Sequence, residues 1–238
     1  MTGTLYLSRA RLRGDASVKA LVPLMFGDGG LARGGGQPGH SLIWSLFADD
    51  AERQRDFLWR EMERGLFYVL SARRPEDRHG LFELSPPKVF APDLVEGDRL
   101  GFSLRANPVV RRRNAARGRS VKHDVVMDAL SSAGEGSWAD LRNPIIQDRG
   151  FSWLRRQGER AGFDVAERSV RIDGYEQHRI GRRRAPTMAY SSLDYDGILT
   201  VTTPEVFVEA ISRGFGAAKA YGCGLMLIRR YDAQRLSA

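Results

Sequence analysis

Cysteine is nearly absent from this chain of 238 residues: Cys223 stands alone, which excludes a disulfide framework and a cysteine-based zinc site. Histidine is scarce as well, and His40, His79, His123 and His178 lie too far apart in sequence to form a spaced ligand cluster. No run approaches the ~20 consecutive apolar residues that a membrane span requires. The first residues lack a basic segment ahead of an apolar one, so no signal peptide is expected. Lysine is confined to Lys19, Lys88, Lys122 and Lys219. These absences set the expectation of a cytoplasmic protein with no membrane partner, no metal and no other cofactor.

Arginine is what the chain has in plenty. Lys and Arg total 37 against 29 acids, a net charge of +8 with an isoelectric point near 10.0. Fixed positive potential concentrates phosphates, so a polyanionic partner is expected. The planar five-donor fork of arginine suits phosphates and base edges, and it stacks on rings. A GC-rich genome would give the same arginine-to-lysine ratio, but it does not account for the net charge. An apolar fraction of 42% is enough to build cores, and the length suits one to two domains at ~150 residues each.

Periodicity organises the chain. Residues 4–13 alternate, with Tyr6, Ser8, Ala10 and Leu12 on one side and Leu5, Leu7, Arg9, Arg11 and Arg13 on the other, which predicts a strand with arginines on one face. The glycine-rich stretch 27–39 is too permissive for regular structure. A helix is predicted from about His40, its apolar stripe formed by Leu42, Ile43, Leu46 and Phe47. Its continuation through Arg53, Phe57 and Leu58 fits either one helix or two short ones. The apolar runs 66–72 and 81–84, on either side of Arg73-Arg74-Pro75-Glu76-Asp77, read as a hairpin. Pro86 to Gly97 marks a boundary. Beyond it Leu100, Phe102, Leu104 and Ala106 alternate with polar residues in a clear strand, which leads into Arg111-Arg112-Arg113. Residues 145–162 predict a helix with Ile146, Trp153, Leu154 and Ala161 inward. The polar stretch 167–190 contains Arg182-Arg183-Arg184, 198–202 reads as a strand, and Thr203-Pro204-Glu205 as a helix start capped by threonine. That helix buries Val206, Phe207, Ala210 and Ile211, ends at Gly214, and is followed by a strand over 224–230. The sum is an α+β protein, two tandem ferredoxin-like (RRM-like) βαββαβ domains over residues 1–95 and 98–238.

Three features carry possible chemistry. The block Gly214-Phe215-Gly216-Ala217-Ala218-Lys219-Ala220-Tyr221-Gly222-Cys223-Gly224 leaves a helix and opens a strand, the reverse of a dinucleotide loop, and it holds no Walker pattern. It fits either a loop whose Lys219 and free N–H groups face phosphates or a tight connection without function. The basic groups Arg111–Arg113 and Arg182–Arg184 suit the phosphates of duplex RNA, whose deep, narrow major groove favours recognition by shape. A solvated surface is the plain alternative for either group taken singly. His40 stands where the first helix begins. Helix N-termini favour phosphate and disfavour imidazolium. A neutral ring there could take the proton of a ribose 2′-hydroxyl, or a protonated one could give a proton to the departing 5′-oxygen. Taken alone, it would be an ordinary surface or capping histidine. The other three histidines lie in polar stretches without an assigned role.

Several of these segments recur in one order. Tyr6-Leu7-Ser8-Arg9, His40 followed by Leu42 and Trp44 to Phe47, Leu104-Arg105-Ala106-Asn107-Pro108, Ile198-Leu199-Thr200-Val201 and the glycine block with Arg213 before it and Leu225 after it resemble the CasE-type CRISPR RNA endoribonucleases of type I-E systems, in the RAMP superfamily. The resemblance spans most of the chain. It implies two ferredoxin-like domains that bind the stem-loop of a CRISPR repeat transcript and cut at the 3′ base of the stem. It further implies a metal-independent cut that leaves a 2′,3′-cyclic phosphate and a 5′-hydroxyl, and retention of the crRNA in a Cascade complex with other subunits. Carried onto this sequence, the catalytic histidine is His40. RNA contacts fall to Arg9, Arg11, Arg105, Arg111, Arg112, Arg113, Arg182, Arg183, Arg184 and Lys219, with Arg9, Arg11 or Arg13 as candidates for transition-state charge. The chain departs from the pattern where members often carry a tyrosine, since Gln37-Pro38-Gly39 precede His40, and where some carry basic residues, since Ser41 and Ser45 stand there. A non-catalytic RNA-binding subunit of the same superfamily is the alternative these departures leave open, and a general basic RRM-like protein is a third.

Overall fold

The structure, a computed structural model, describes residues 3–14, 38–47, 54–114, 118–132, 138–182 and 185–231. Most of the glycine-rich stretch, along with Arg183 and Arg184, lies outside the described residues. Two antiparallel sheets organise the described residues. The first has the order β2–β3–β1–β4, built from β1 (Tyr6–Leu12), β2 (Phe57–Glu63), β3 (Leu66–Ser71) and β4 (Phe82–Leu84). A short β5 (Lys88–Val89) also pairs with β1. Between β1 and β2 runs α1 (Pro38–Trp44), extended by a 3-10 turn over Ser45–Phe47.

The second sheet has the same pattern, β10–β11–β6–β12, from β6 (Arg99–Ala106), β10 (Val170–Arg182), β11 (Ala185–Val201) and β12 (Met226–Arg230). Helices α2 (Val125–Ser132) and α3 (Trp138–Ala161) follow β6, and α4 (Pro204–Arg213) follows β11. A two-stranded hairpin, β7 (Val109–Asn114) with β8 (Arg119–Asp124), is inserted after β6, and β9 (Phe163–Asp164) pairs with β11. Both sheets thus show the ferredoxin-like strand order. The first unit departs from the expected βαββαβ in one respect, since residues 72–81, between β3 and β4, contain no helix. Among the described residues no helix is long and apolar enough to cross a membrane.

Several sequence expectations are corrected here. Residues 57–63 are a strand, not the continuation of a helix. Phe57, Leu58, Trp59 and Arg60 are all buried, because Phe57 and Trp59 face one core and Leu58 the other. A strand covered on both faces shows no alternation, so its period was hidden. The hairpin in this region joins β2 to β3 through Arg64-Gly65, and β1 separates β3 from β4, so the runs 66–71 and 82–84 are not hairpin partners. The polar stretch 167–190 contains most of one long hairpin. Its root, Leu193 to Thr200 of β11, pairs with β6, whereas residues 185–192 pair with β10 alone. A two-stranded arm that runs past its sheet has little core to cover, with Ile180 the buried apolar residue near its tip, which accounts for its polarity. Helix α2 was not foreseen. Asp124 caps it, its Oδ1 accepting from the backbone N–H of Val126 (2.8 Å) and Met127 (2.7 Å). Thr203 does occupy the N-cap of α4, with Pro204 first in the helix, but its hydroxyl makes no cap hydrogen bond.

One core lies beneath α1, where Leu42, Ile43, Leu46 and Phe47 pack with Ala10, Trp59, Phe67 and Val69. The other fills the second unit and takes in Leu5, Leu58 and Leu70 from the first. The first sheet therefore uses its two faces differently, one for its own helix and one for the second unit.

Candidate active site and nucleic-acid interface

His40 is the third residue of α1, a helix of seven residues whose buried stripe fixes its rotation. The ring is half-buried and meets the second unit. Its Nδ1 donates to the carbonyl oxygen of Ala220 at 2.8 Å. A carbonyl oxygen only accepts, so Nδ1 carries the proton in this arrangement, and Nε2 is left as the nitrogen that can exchange one. Trp59 Nε1 donates to the same oxygen at 3.2 Å. The site thus rests on a backbone contact across the two units more than on the dipole of so short a helix.

Ala220 belongs to a 3-10 turn over Lys219–Tyr221, flanked by left-handed residues Ala218 (φ 51) and Gly222 (φ 79). The glycine block is shaped by close approach. At Gly216 a Cβ would lie 2.6 Å from the carbonyl oxygen of Asn107, and that oxygen accepts from the N–H of Ala217 at 3.1 Å. Asn107 is buried, and its Nδ2 donates to the Ser191 carbonyl at 2.6 Å. The Arg-Ala-Asn-Pro strand end and the glycine block, read separately in the sequence, are therefore two sides of one contact. Together they hold the turn that meets His40.

A column of rings continues from the site. Tyr221 lies 5.8 Å from His40 in a tilted pair, Tyr190 stacks on Tyr221 at 5.4 Å, and His178 stacks on Tyr190 at 4.6 Å. Burial pushes the Tyr190 hydroxyl above its usual value, so it stays protonated at neutral pH. Burial also lowers His178, opposed by Glu176 and reinforced by Arg105, and its Nε2 lies 2.8 Å from the Ser192 hydroxyl. Sequence reasoning missed Trp59, Tyr190, Tyr221 and His178; Tyr221 alone carried a signal, its place in the glycine block. Cys223 is buried, and burial pushes its thiol up to about 12, which unsuits it as a nucleophile.

The predicted basic residues separate into distinct places. Lys219 adjoins the Ala220 carbonyl, and its Nζ donates to the Arg213 carbonyl at 2.6 Å. Burial lowers its pKa, reinforced by repulsion from Arg55, Arg213 and Lys122, so cationic groups converge on this turn. Arg9 and Arg11 are exposed, but they project from the face of β1 opposite Ala10, and Ala10 packs against α1. They are not brought together with His40, nor is Arg13, whose Nε donates to the Phe82 carbonyl at 3.1 Å. Arg105 is held by Asp194 in a bidentate pair (2.8 and 2.7 Å). Asp194 also lies 3.6 Å from the buried Arg60, which donates to Ser103 at 2.9 Å and so ties the two sheets together. Arg111, Arg112 and Arg113 lie on β7, with Arg111 and Arg112 exposed and Arg112 paired to Asp128 at 2.6 Å. Arg182 ends β10 on the projecting arm, next to Arg183 and Arg184, which lie outside the described residues. Among the described residues no three His, Cys, Asp or Glu side chains converge as a metal site.

Known proteins resemble this chain in sequence and fold. A family model described as CRISPR associated protein matches residues 5–230. The CRISPR-associated endoribonuclease Cse3 of Thermus thermophilus is 30% identical over 186 residues, covering 74% of this chain and 81% of that protein. The Cascade subunit CasE of Escherichia coli is 23% identical over 197 residues, 79% of this chain and 88% of that one. A solved structure of Cse3 bound to a 19-nt RNA superposes with a TM-score of 0.65 at 23% identity, over 95% of this chain and 100% of that one, and carries the same fold. By the span of the family model and the 30% identity to Cse3, the chain belongs to the CRISPR-associated protein family, in its CasE-type (Cse3) endoribonuclease branch.

Proposed function

We propose that the chain cleaves CRISPR repeat stem-loops in precursor RNA without a metal and stays on the crRNA as a Cascade subunit in the cytoplasm. His40 is the catalytic residue. Its Nε2 takes the proton of the ribose 2′-hydroxyl, the 2′-oxygen bonds to the adjacent phosphorus, and the bond to the 5′-oxygen breaks. That oxygen leaves with the proton His40 took up, returned from Nε2 directly or through a water, giving a 2′,3′-cyclic phosphate and a 5′-hydroxyl with His40 neutral again. Lys219 and its cationic neighbours face the charge that develops on the phosphate. The β7–β8 hairpin and the β10–β11 arm, with Arg111–Arg113 and Arg182–Arg184, grip the stem through its phosphates. Arg9, Arg11 and Arg105 serve as outlying contacts to the RNA. The first unit spans residues 1–95 and the second 98–238.

Support comes from the relatives: Cse3 is an endoribonuclease, CasE is a Cascade subunit, and Cse3 has been solved with RNA bound. The observation that carries the reading is the His40 ring, half-buried where the two units meet and anchored through Nδ1. His40→Ala is expected to abolish repeat cleavage, with stem-loop affinity changed by less than about twofold. Cleavage at the wild-type rate by His40→Ala would contradict the assignment. Binding without any cleavage by the wild type would instead make the chain an RNA-binding subunit.

A further inference from the structure

The indole of Trp59 is buried between the two segments that make the site, with 3% of its surface exposed. Gly39, the residue before His40, approaches so closely that a Cβ there would lie 2.6 Å from Cη2 of the ring. Gly222, just past the turn that carries Ala220, would bring a Cβ to 3.0 Å from Cζ3. A side chain at either position would push the ring aside. At the edge of the indole, Nε1 reaches the oxygen that His40 Nδ1 also reaches, at 3.2 and 2.8 Å. A carbonyl oxygen offers two acceptor lobes, and these two donors fill both. Trp59 therefore packs on both partners of the contact and hydrogen-bonds its shared atom.

The geometry points to Trp59 as a positioning residue for cleavage. Its Nε1–H holds the Ala220 carbonyl where that carbonyl keeps the His40 proton on Nδ1 and leaves Nε2 to the substrate. An unconstrained neutral histidine favours its proton on Nε2, the wrong nitrogen for this site, and the hydrogen bond at one ring nitrogen decides which is protonated. The inference rests on His40 as the catalytic residue. A tryptophan that merely filled the seam would affect folding and leave the tautomer alone.

The test is the long-range 1H–15N spectrum of the full chain labelled with 15N-histidine, recorded near pH 8, with His40 assigned by the signals lost in His40→Ala. Wild type is expected to show His40 as the Nδ1–H tautomer. Trp59→Phe keeps a ring in the seam but removes the donor. It is expected to move His40 toward Nε2–H and to slow single-turnover cleavage about tenfold, with repeat-RNA Kd within about twofold of wild type. The inference is overturned by Nε2–H in the wild type, by an unchanged tautomer in folded Trp59→Phe, or by an unchanged rate. Where Trp59→Phe does not fold, benzothienylalanine at position 59 keeps the bicyclic ring and replaces its N–H with sulfur, and an unchanged His40 tautomer in that variant overturns the inference. Full activity in His40→Ala would overturn the underlying assignment instead.

Discussion

Gly222 holds φ at +79, and a Cβ there would lie 3.0 Å from the Trp59 ring, close enough to shift it by a few tenths of an ångström. Gly80 has a similar φ of +65 but open space around it. The left-handed conformation costs a non-glycine residue about 1–2 kcal/mol, so alanine at either position should lower the thermal midpoint. Only Gly222→Ala should also lose repeat cleavage, because only it displaces the indole beneath the Ala220 carbonyl. A cleavage assay alongside melting curves separates the two, and equal cleavage by both variants would contradict this account of the glycine. At this scale His40 stood out in the sequence as a candidate, since a histidine opening a helix after a glycine-rich segment is a local pattern. Trp59 and its bond to Ala220 were hidden, because the partners are 161 positions apart. The arginines of β1 were read onto the correct face by alternation, but nothing local told which face of the strand would meet α1.

The β10–β11 arm carries His178 into the ring column, and its environment predicts a pH effect. Burial lowers His178 below its usual 6.5, so the folded chain binds fewer protons there than the unfolded chain does. Its contribution is full above pH 6.5 and is lost as the pH falls through the window below that value. His178→Phe keeps a ring against Tyr190 and removes the titration. Melting temperatures measured from about pH 5 to pH 8 should show wild type losing more stability than this variant on acidification. Parallel curves would remove His178 as the cause. Elements were legible where an apolar face alternates with a polar one, as in β6, or where an apolar stripe repeats, as in α3. They were not legible in β2, buried on both faces, or in the arm, which past Leu193 pairs within its own hairpin. Helix α2 was hidden for another reason: its cap, Asp124, ends a polar strand, and no apolar stripe long enough to register follows.

Across the whole molecule, the net charge is +8, and part of the cationic surplus lies on the β7–β8 hairpin, at Arg182 of the arm and around the turn at Lys219. Repeat-RNA affinity should fall steeply and linearly on a log–log plot against salt, because bound phosphates release counterions. Arg111→Ala should reduce that slope by about 1. Arg112→Ala should reduce it less, since Arg112 already engages Asp128. Equal slopes for wild type and Arg111→Ala would remove β7 from the RNA contact. Fold class and the pairing of two ferredoxin-like units were open to sequence reasoning, through the order of alternating segments. The seam between the units was not, because Arg60, Ser103 and Asp194 meet there through long-range contacts that no local period encodes. The central claim is that a protein-held imidazole lets the RNA cut itself. Its most direct test is the end chemistry of repeat RNA cleaved by the full chain in excess chelator. The account predicts a 2′,3′-cyclic phosphate and a 5′-hydroxyl at an undiminished rate. A 5′-phosphate with a free 3′-hydroxyl, or activity that vanishes with chelation, would contradict it.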